Sequence, residues 1–241
     1  MLVCTKIHFA LHWLAPKELS VNSHPMNRIL SADGAQWSLD NIATLPDPKP
    51  RLLFCAGAMA RPDVVVKQVQ ELQDATRRNV LGLMGSYPFK DGDTYSWANV
   101  DKALRCKGPE LPKPFDLGEL AAGATFVNQI VQAVGATCVI GFSQGSVVAM
   151  LAQMQNLAFC DVVAVCPGFV DGLSYKDNQP MLIASRLALI QAGADQLISP
   201  DLQHKLAKEC GGSSQVLPGH CHQWSTDLVQ AIADQVLAWT I

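Results

Sequence analysis

Charge of either sign is scarce in this chain. Its 241 residues hold 18 basic and 21 acidic side chains, 16% in all, for a net charge of −3, where typical domains carry about 25% charged residues. A nucleic-acid binder shows a basic excess or stripe; none is present, and no nucleic-acid partner is expected. With 49% of residues hydrophobic, intrinsic disorder is excluded as well. Long apolar runs are also missing, for none reaches the roughly 18 residues that a bilayer span demands. The opening stretch 1–15 has no basic n-region, is broken by Lys6, His8 and His12, and meets no clear small-residue cleavage site, so no secretion signal is expected. The eight cysteines (4, 55, 106, 138, 160, 166, 210 and 221) include no CxxC pair. Cys55, Cys138 and Cys166 lie inside apolar runs and read as small core residues. A reducing, cytoplasmic compartment follows as the expectation.

A chain of this length can bury roughly 70% or more of its extended surface and folds without staples. One domain over 1–241 is expected, with 1–50 as an N-terminal extension and 51–241 as the core. Within the extension, Asp33-Gly34 between two short apolar runs suits a type I′ hairpin turn. The segment Pro46-Asp47-Pro48-Lys49-Pro50 admits neither helix nor central strand and marks the boundary. Beyond it, short apolar runs alternate with amphipathic stretches. Strands are expected at Leu52–Ala56, Val80–Met84, Thr137–Phe142, Val162–Cys166, Leu187–Gln191 and Gln215–Leu217. Helices are expected from Pro62, from an Asp116 cap to Val134, over Gly145–Met154, from Pro200, and after a Ser225 cap. That alternation describes a mostly parallel sheet with helices on both faces.

The strongest local signal is Gly141-Phe142-Ser143-Gln144-Gly145, a G-x-S-x-G pentapeptide between an apolar strand and a helix-forming run, the context that a nucleophile elbow requires. The serine sits on a sharp, strained turn that leaves room only for minimal side chains two residues either side. The plainer alternative is a serine that merely caps the helix. A serine nucleophile needs a base near neutral pH. Of the three downstream histidines, His204 falls on a helix and reads as solvated. His220 and His222 follow a strand at once, in the kind of strand-end loop where catalytic groups gather. The pair can also be read as an H-x-H metal site, but no Asp, Glu or His cluster stands beside it. Between serine and histidine, Asp195 lies in another strand-end loop and is the expected orienting acid. Asp171 and Asp177 are its serious rivals, while Asp161 precedes a strand and Asp201 belongs to a helix's first turn. Two main-chain amides are needed for an oxyanion hole. One is Gln144, after the nucleophile; the other is expected from the loop Gly57-Ala58-Met59, at Ala58. The irregular stretch 85–114 and the loop 168–180 are expected to shape the pocket, with Trp97 and Phe169 as candidate substrate-binding residues or, alternatively, core aromatics.

These residues resemble the phospholipase/carboxylesterase family of α/β-hydrolases, which includes acyl-protein thioesterases. The carriers are residues 139–146 around the elbow, Gly193–Pro200, Pro218–His222, and the aromatic segment Tyr95-Ser96-Trp97. The small serine hydrolases with a GFSQG elbow are equally similar in the pentapeptide. The resemblance covers roughly 51–241 and implies an α/β-hydrolase fold. It further implies hydrolysis of an ester or thioester of a small molecule or acylated substrate through an acyl-enzyme, with no metal or organic cofactor. In two places the chain departs from that family: Ala56-Gly57 stands where His-Gly is usual, and Met59-Ala60 replaces small and acidic residues. The base in such relatives commonly stands in a G-x-x-H arrangement, here Gly219 to His222, whereas a shorter G-H spacing selects His220. Because Pro218 and Gly219 are needed to turn the chain away from the strand, reach favours His222. An acyltransferase on the same triad, or a binding protein on the same fold without turnover, are the competing functions.

Overall fold

Apolar segments 52–55, 80–84, 138–142, 161–165 and 187–192 are buried along almost their whole length, as strands covered on both faces must be. They form β3 (Leu52–Cys55), β4 (Val80–Met84), β7 (Cys138–Phe142), β8 (Asp161–Val165) and β9 (Leu187–Ala192). With β1 (Arg28–Leu30), β2 (Gln36–Trp37) and β10 (Ser213–Leu217) they build one eight-stranded sheet, ordered β10-β9-β8-β7-β3-β4-β1-β2. The pairs from β10 to β4 are parallel, and the β4–β1 and β1–β2 pairs are antiparallel. A separate two-stranded ribbon joins β5 (Tyr87–Pro88) to β6 (Tyr95–Ser96). The computed structural model describes residues 27–46, 48–49, 52–89, 92–100, 116–155, 160–168, 186–210 and 212–239.

Five helices cover the sheet among the described residues: α1 (Pro62–Thr76), α2 (Leu117–Val134), α3 (Gln144–Gln155), α4 (Pro200–Cys210) and α5 (Thr226–Ala238). Strand alternation sorts the core into two layers. Leu53, Cys55, Val139, Val162 and Leu189 face α2 and α3, whose Leu120, Val127, Val147 and Met150 meet them. Phe54, Ile140, Val163 and Ile190 face the other way, toward Val65, Val69 and Leu72 of α1 and Leu228, Ile232 and Val236 of α5. Local chemistry sets the ends. The Asp116 carboxylate accepts from Gly118 and Glu119 amides to start α2, and left-handed Gly135 stops it. Ser225 caps α5.

The hairpin corrects one expectation, its turn type. Of Asp33 and Gly34 only Gly34 takes positive φ (+83°), with its amide donating to Ser31 O at 2.9 Å. Type I′ would need positive φ at both. Asp33 instead accepts from the Ala35 amide and the Ser31 hydroxyl, and a left-handed glycine closes a turn beginning at Ser31. The extension joins the sheet through this hairpin: β1 pairs with β4, and Ile29 and Leu30 are fully buried.

The chain leaves β3 toward β4 on one side and later runs from β7 to β10 on the other. The reversal lies between β3 and β7. In open parallel sheets the crevice beyond the carboxyl ends of the strands at such a reversal is where ligands bind. Ser143 follows β7 there, and Ala58 follows β3.

Candidate active site

Ser143 connects β7 to α3 with φ of +54°, a left-handed conformation that a non-glycine residue holds only when its surroundings impose it. Packing imposes it here. A Cβ on Gly145 would run into the carbonyl oxygens of Cys55 and Ala56, and one on Gly141 would strike Gly145 and Ser146. Ser146, buried behind the turn, stitches it to the next strand: its hydroxyl lies 2.7 Å from the carbonyls of both Gly141 and Val165 and accepts from the Val165 amide at 3.0 Å. The nucleophile candidate is therefore held on a rigid corner with helix α3 running away from it.

His222 reaches this corner from the loop after β10. Its Nε2 lies 2.8 Å from Ser143 Oγ and its Nδ1 2.7 Å from Asp195 Oδ2. The Asp195 side chain is fully enclosed and that of His222 is 9% exposed. Asp195 Oδ1 accepts from the Leu197 and Ile198 amides at 2.8 and 2.9 Å, and Oδ2 accepts from Gln203 Nε2 at 3.0 Å. A carboxylate accepting from this many donors is an acceptor toward His222 too, so Nδ1 carries the proton and Nε2 accepts the Ser143 hydroxyl proton. The two loops that deliver Asp195 and His222 are themselves tied together, Gly193 N–H donating to Leu217 O (2.9 Å) and Ala194 N–H to His220 O (2.8 Å).

His220 has a different place. Left-handed Gly219 (φ +75°) turns the chain, and His220 Nε2 lies 3.3 Å from Asp227 Oδ2, away from the serine. It does not join the one group of three potential metal ligands found among the described residues, which is Cys166, Asp195 and His222, their ligand atoms within 4.8 Å of one another. Cys166 lies in the core under the pair, and burial, then the nearby Asp195 carboxylate, push its thiol up to about 12. A neutral, enclosed thiol there is packing rather than a nucleophile.

The loop after β3 lies against the serine: a Cβ on Gly57 would stand 3.5 Å from Ser143 Cβ. Among the described residues nothing accepts from the main-chain amides of Ala58 or Gln144. Two unspent donors beside the nucleophile are what a developing oxyanion requires. Trp97 is placed in the core, 1% exposed, with its indole N–H donating to Ala56 O at 2.7 Å. It supports the loop that follows β3. Phe169, like Asp171 and Asp177, lies outside the described residues.

Two residues at the site escaped the sequence reading. Gln203, wholly buried on α4, donates to both Asp195 Oδ2 and Ile198 O; its spacing from Leu206 puts it on the inward face of the helix, and nothing in that spacing names its partners. Trp224 anchors the histidine loop. Its ring meets Phe54 and Phe142 at centroid distances of 5.1 and 5.6 Å, its N–H donates to Glu71 on α1 at 2.7 Å, and Phe142 in turn packs on the His222 ring at 5.4 Å.

Comparison with known proteins gives the family and the fold. A family model described as Serine hydrolase (FSH1) matches residues 54–223. No curated protein sequence matches the chain significantly. Among solved structures it is similar to esterase PE8 (14% identity, TM-score 0.59, covering 79% of this chain and 92% of that one). It is also similar to Arabidopsis thaliana SOBER1 (15%, 0.60, 79% and 98%) and to TT1662 from Thermus thermophilus (13%, 0.58, 81% and 91%). These likenesses establish the α/β-hydrolase fold. No helix among the described residues is long and apolar enough to cross a membrane.

Proposed function

Because the chain belongs to the serine hydrolase (FSH1) family, we propose that it cleaves a carboxylic ester or thioester through an acyl-enzyme on Ser143. The observation that carries this reading is the unbroken relay from Ser143 Oγ through His222 to Asp195, at 2.8 and 2.7 Å, on a left-handed serine. Ser143 attacks the carbonyl carbon while His222 Nε2 takes its proton. Asp195 holds the imidazole in the tautomer that can accept that proton, and stabilises the imidazolium that results. The amides of Gln144 and Ala58 receive the oxyanion, each worth about 3 kcal/mol in such sites. His222 then protonates the departing alcohol or thiol, and a water activated by the same imidazole releases the acid. Every proton in this cycle has a donor and an acceptor among the named groups, so the scheme calls on no metal or organic cofactor.

The test is covalent labelling by a fluorophosphonate probe together with turnover of a short p-nitrophenyl ester. The native protein is expected to label and turn over. Ser143→Ala is expected to lose labelling completely and turnover by at least about a thousandfold while remaining folded, since the members of a triad act as a unit. Labelling that survives in Ser143→Ala overturns the assignment. Turnover that appears only with an added alcohol acceptor reassigns the acyl-enzyme to transfer, and neither labelling nor turnover points to a binding protein.

A further inference from the structure

The segment Tyr95-Ser96-Trp97 makes one contact after another with the loop between β3 and α1. Tyr95 and Ala60 exchange main-chain hydrogen bonds at 2.9 and 3.0 Å. Ser96 Oγ accepts from the Met59 amide at 2.9 Å, and the Trp97 indole donates to Ala56 O at 2.7 Å. Three consecutive residues thus hold positions 60, 59 and 56, and the stretch between the anchors is Gly57-Ala58. The segment is itself held from three directions. The Gln144 side-chain carbonyl accepts from the Trp97 amide at 2.7 Å, Gly85 at the end of β4 leaves room for the Ser96 carbonyl, and Gly123 of α2 leaves room for the Trp97 ring. Arg28 of the hairpin donates to the Tyr95 hydroxyl at 2.5 Å and lies 4.0 Å from its ring centre.

Two features show that this arrangement is under tension. Met59, half exposed, takes φ of +53°, which an unbranched side chain does not adopt unless its neighbours hold it. Its amide, the nearest rival to that of Ala58 as an oxyanion donor, is already engaged by Ser96. Gln144 is 98% enclosed, since its relative exposure is 2%, and its side-chain Nε2 has no partner among the described residues. An orphaned buried donor is costly, and what the side chain achieves in exchange is the bond to Trp97. One residue, Gln144, thus carries one proposed oxyanion amide on its main chain and, through its side chain, the segment that sets the other.

We propose that Ser96 is a positioning residue for the hydrolytic reaction: by accepting from the Met59 amide it fixes the peptide planes of the loop so that the Ala58 N–H is the one left facing the oxyanion. Ser96 touches no reacting atom and acts through the loop. This rests on the serine-hydrolase reading above, and it extends that reading to a hydroxyl in no way part of the triad. A donor displaced from the developing charge acts in the transition state more than in the ground state, so the effect falls on kcat and spares KM.

The experiment compares native protein, Ser96→Ala, Ser96→Thr and Ser96→Cys. The readouts are ester hydrolysis, fluorophosphonate labelling, and inhibition by a trifluoromethyl ketone, whose adduct with a serine places an oxyanion in the hole. Ser96→Ala is expected to lower kcat by about ten- to a hundredfold with KM within twofold, less than deletion of a donor outright. The inhibition constant for the ketone is expected to rise in proportion to the loss in kcat/KM, and Ser96→Thr, which keeps the acceptor oxygen, to recover most of it. Ser96→Cys, nearly the same size but a weak acceptor, tests the same bond if Ser96→Ala does not fold. It is expected to lower kcat several-fold, again in step with the ketone. Rates within twofold of native for the folded variants overturn the proposal. A fall in kcat with no change in ketone affinity does so too, because the loss then lies outside the oxyanion site. If the native protein fails to label or to turn over, it is the serine-hydrolase reading that fails.

Discussion

Each end of the parallel sheet holds a carboxylate paired with a basic side chain, and the two pairs are built in opposite ways. At the amino end, Asp161 at the start of β8 meets the Arg186 guanidinium at 2.7 Å, with the two side chains 19% and 52% exposed. Arg186 also lies 5.2 Å from the Trp239 ring centre, on the wall of a cleft of about 380 Å3. At the carboxyl end, Asp195 and His222 meet at the same 2.7 Å but are almost wholly enclosed. Backbone strain divides the same way. Of the four non-glycine residues with positive φ among those described, Met59, Ser143 and Cys166 follow β3, β7 and β8, and only Arg77, the end cap of α1, lies elsewhere. Distance alone therefore does not distinguish the proposed catalytic pair from a surface one. What distinguishes them is exclusion of water, the number of donors committed to the carboxylate, and strain in the neighbouring backbone, which clusters where function over-determines geometry.

The sharpest way to break this comparison is at the histidines. His222 lies inside the enclosed relay, whereas His220 is paired with Asp227, whose side chain is 76% exposed. His222→Ala is expected to remove nearly all ester turnover, by about a thousandfold or more, as loss of a triad base does. His220→Ala is expected to retain at least half of it. Steady-state kinetics on the two variants decides the matter, and the reverse pattern would move the base to His220 and dissolve the contrast between enclosed and exposed pairs.

A smaller effect is expected one layer out. Gln203→Leu removes a donor from Asp195 Oδ2 and another from the Ile198 carbonyl while keeping the volume of the side chain. Asp195 keeps its two main-chain donors, so the relay loosens rather than collapses. A fall of about tenfold in kcat/KM is expected, in keeping with the modest worth of one hydrogen bond to a charged group, together with a slower rate of fluorophosphonate labelling. Unchanged values for both would show that the enclosure of Asp195, and not its set of donors, is what matters.

The same contrast explains what was legible in the sequence. The elbow was readable because its rule is local: a strand, a turn with small residues at Gly141 and Gly145, and a helix. The strand-end loops of Asp195 and His222 were readable because chain order and periodicity place them at one edge. The supports were not. Trp224 finds Glu71 across 153 positions of sequence and Gln203 finds Asp195 across a loop, and no periodicity records either meeting. Trp97 offered aromatic surface, and only the closed packing over Gly123 shows that it lies in the core. The Asp33-Gly34 dipeptide was consistent with two turn types, and the pairing of Leu30 with Gln36 selected the longer connection. Likewise the first strand belongs to the sheet because β4 offers it an edge, a fact of tertiary structure that its own three residues do not encode.

The smallest effect is expected at the amino end, where Asp161→Asn should leave catalysis untouched. Asp161 accepts from the Arg186 main-chain amide at 2.9 Å and from its Nε and Nη2 at 3.1 and 2.7 Å. Asparagine keeps an oxygen for the main-chain bond and gives up the charge, while the half-exposed guanidinium remains hydrated. Exposed pairs of this kind are worth about 0–1 kcal/mol, so the denaturation midpoint is expected to fall by no more than about 4 °C for a domain of this size. Strand β8 carries the chain from Asp161 to Val165 beside the elbow, and at about 3.3 Å per residue the four steps put roughly 13 Å between its two ends. Arg186 is half exposed, so counterions, with a Debye length of about 8 Å, gather at the amino end and weaken the change in field that reaches Ser143. Ester turnover and probe labelling are therefore expected to stay within twofold of native. A tenfold loss of turnover at constant stability would mean that the strand transmits the pairing mechanically, and the two ends of the sheet would have to be treated as one site.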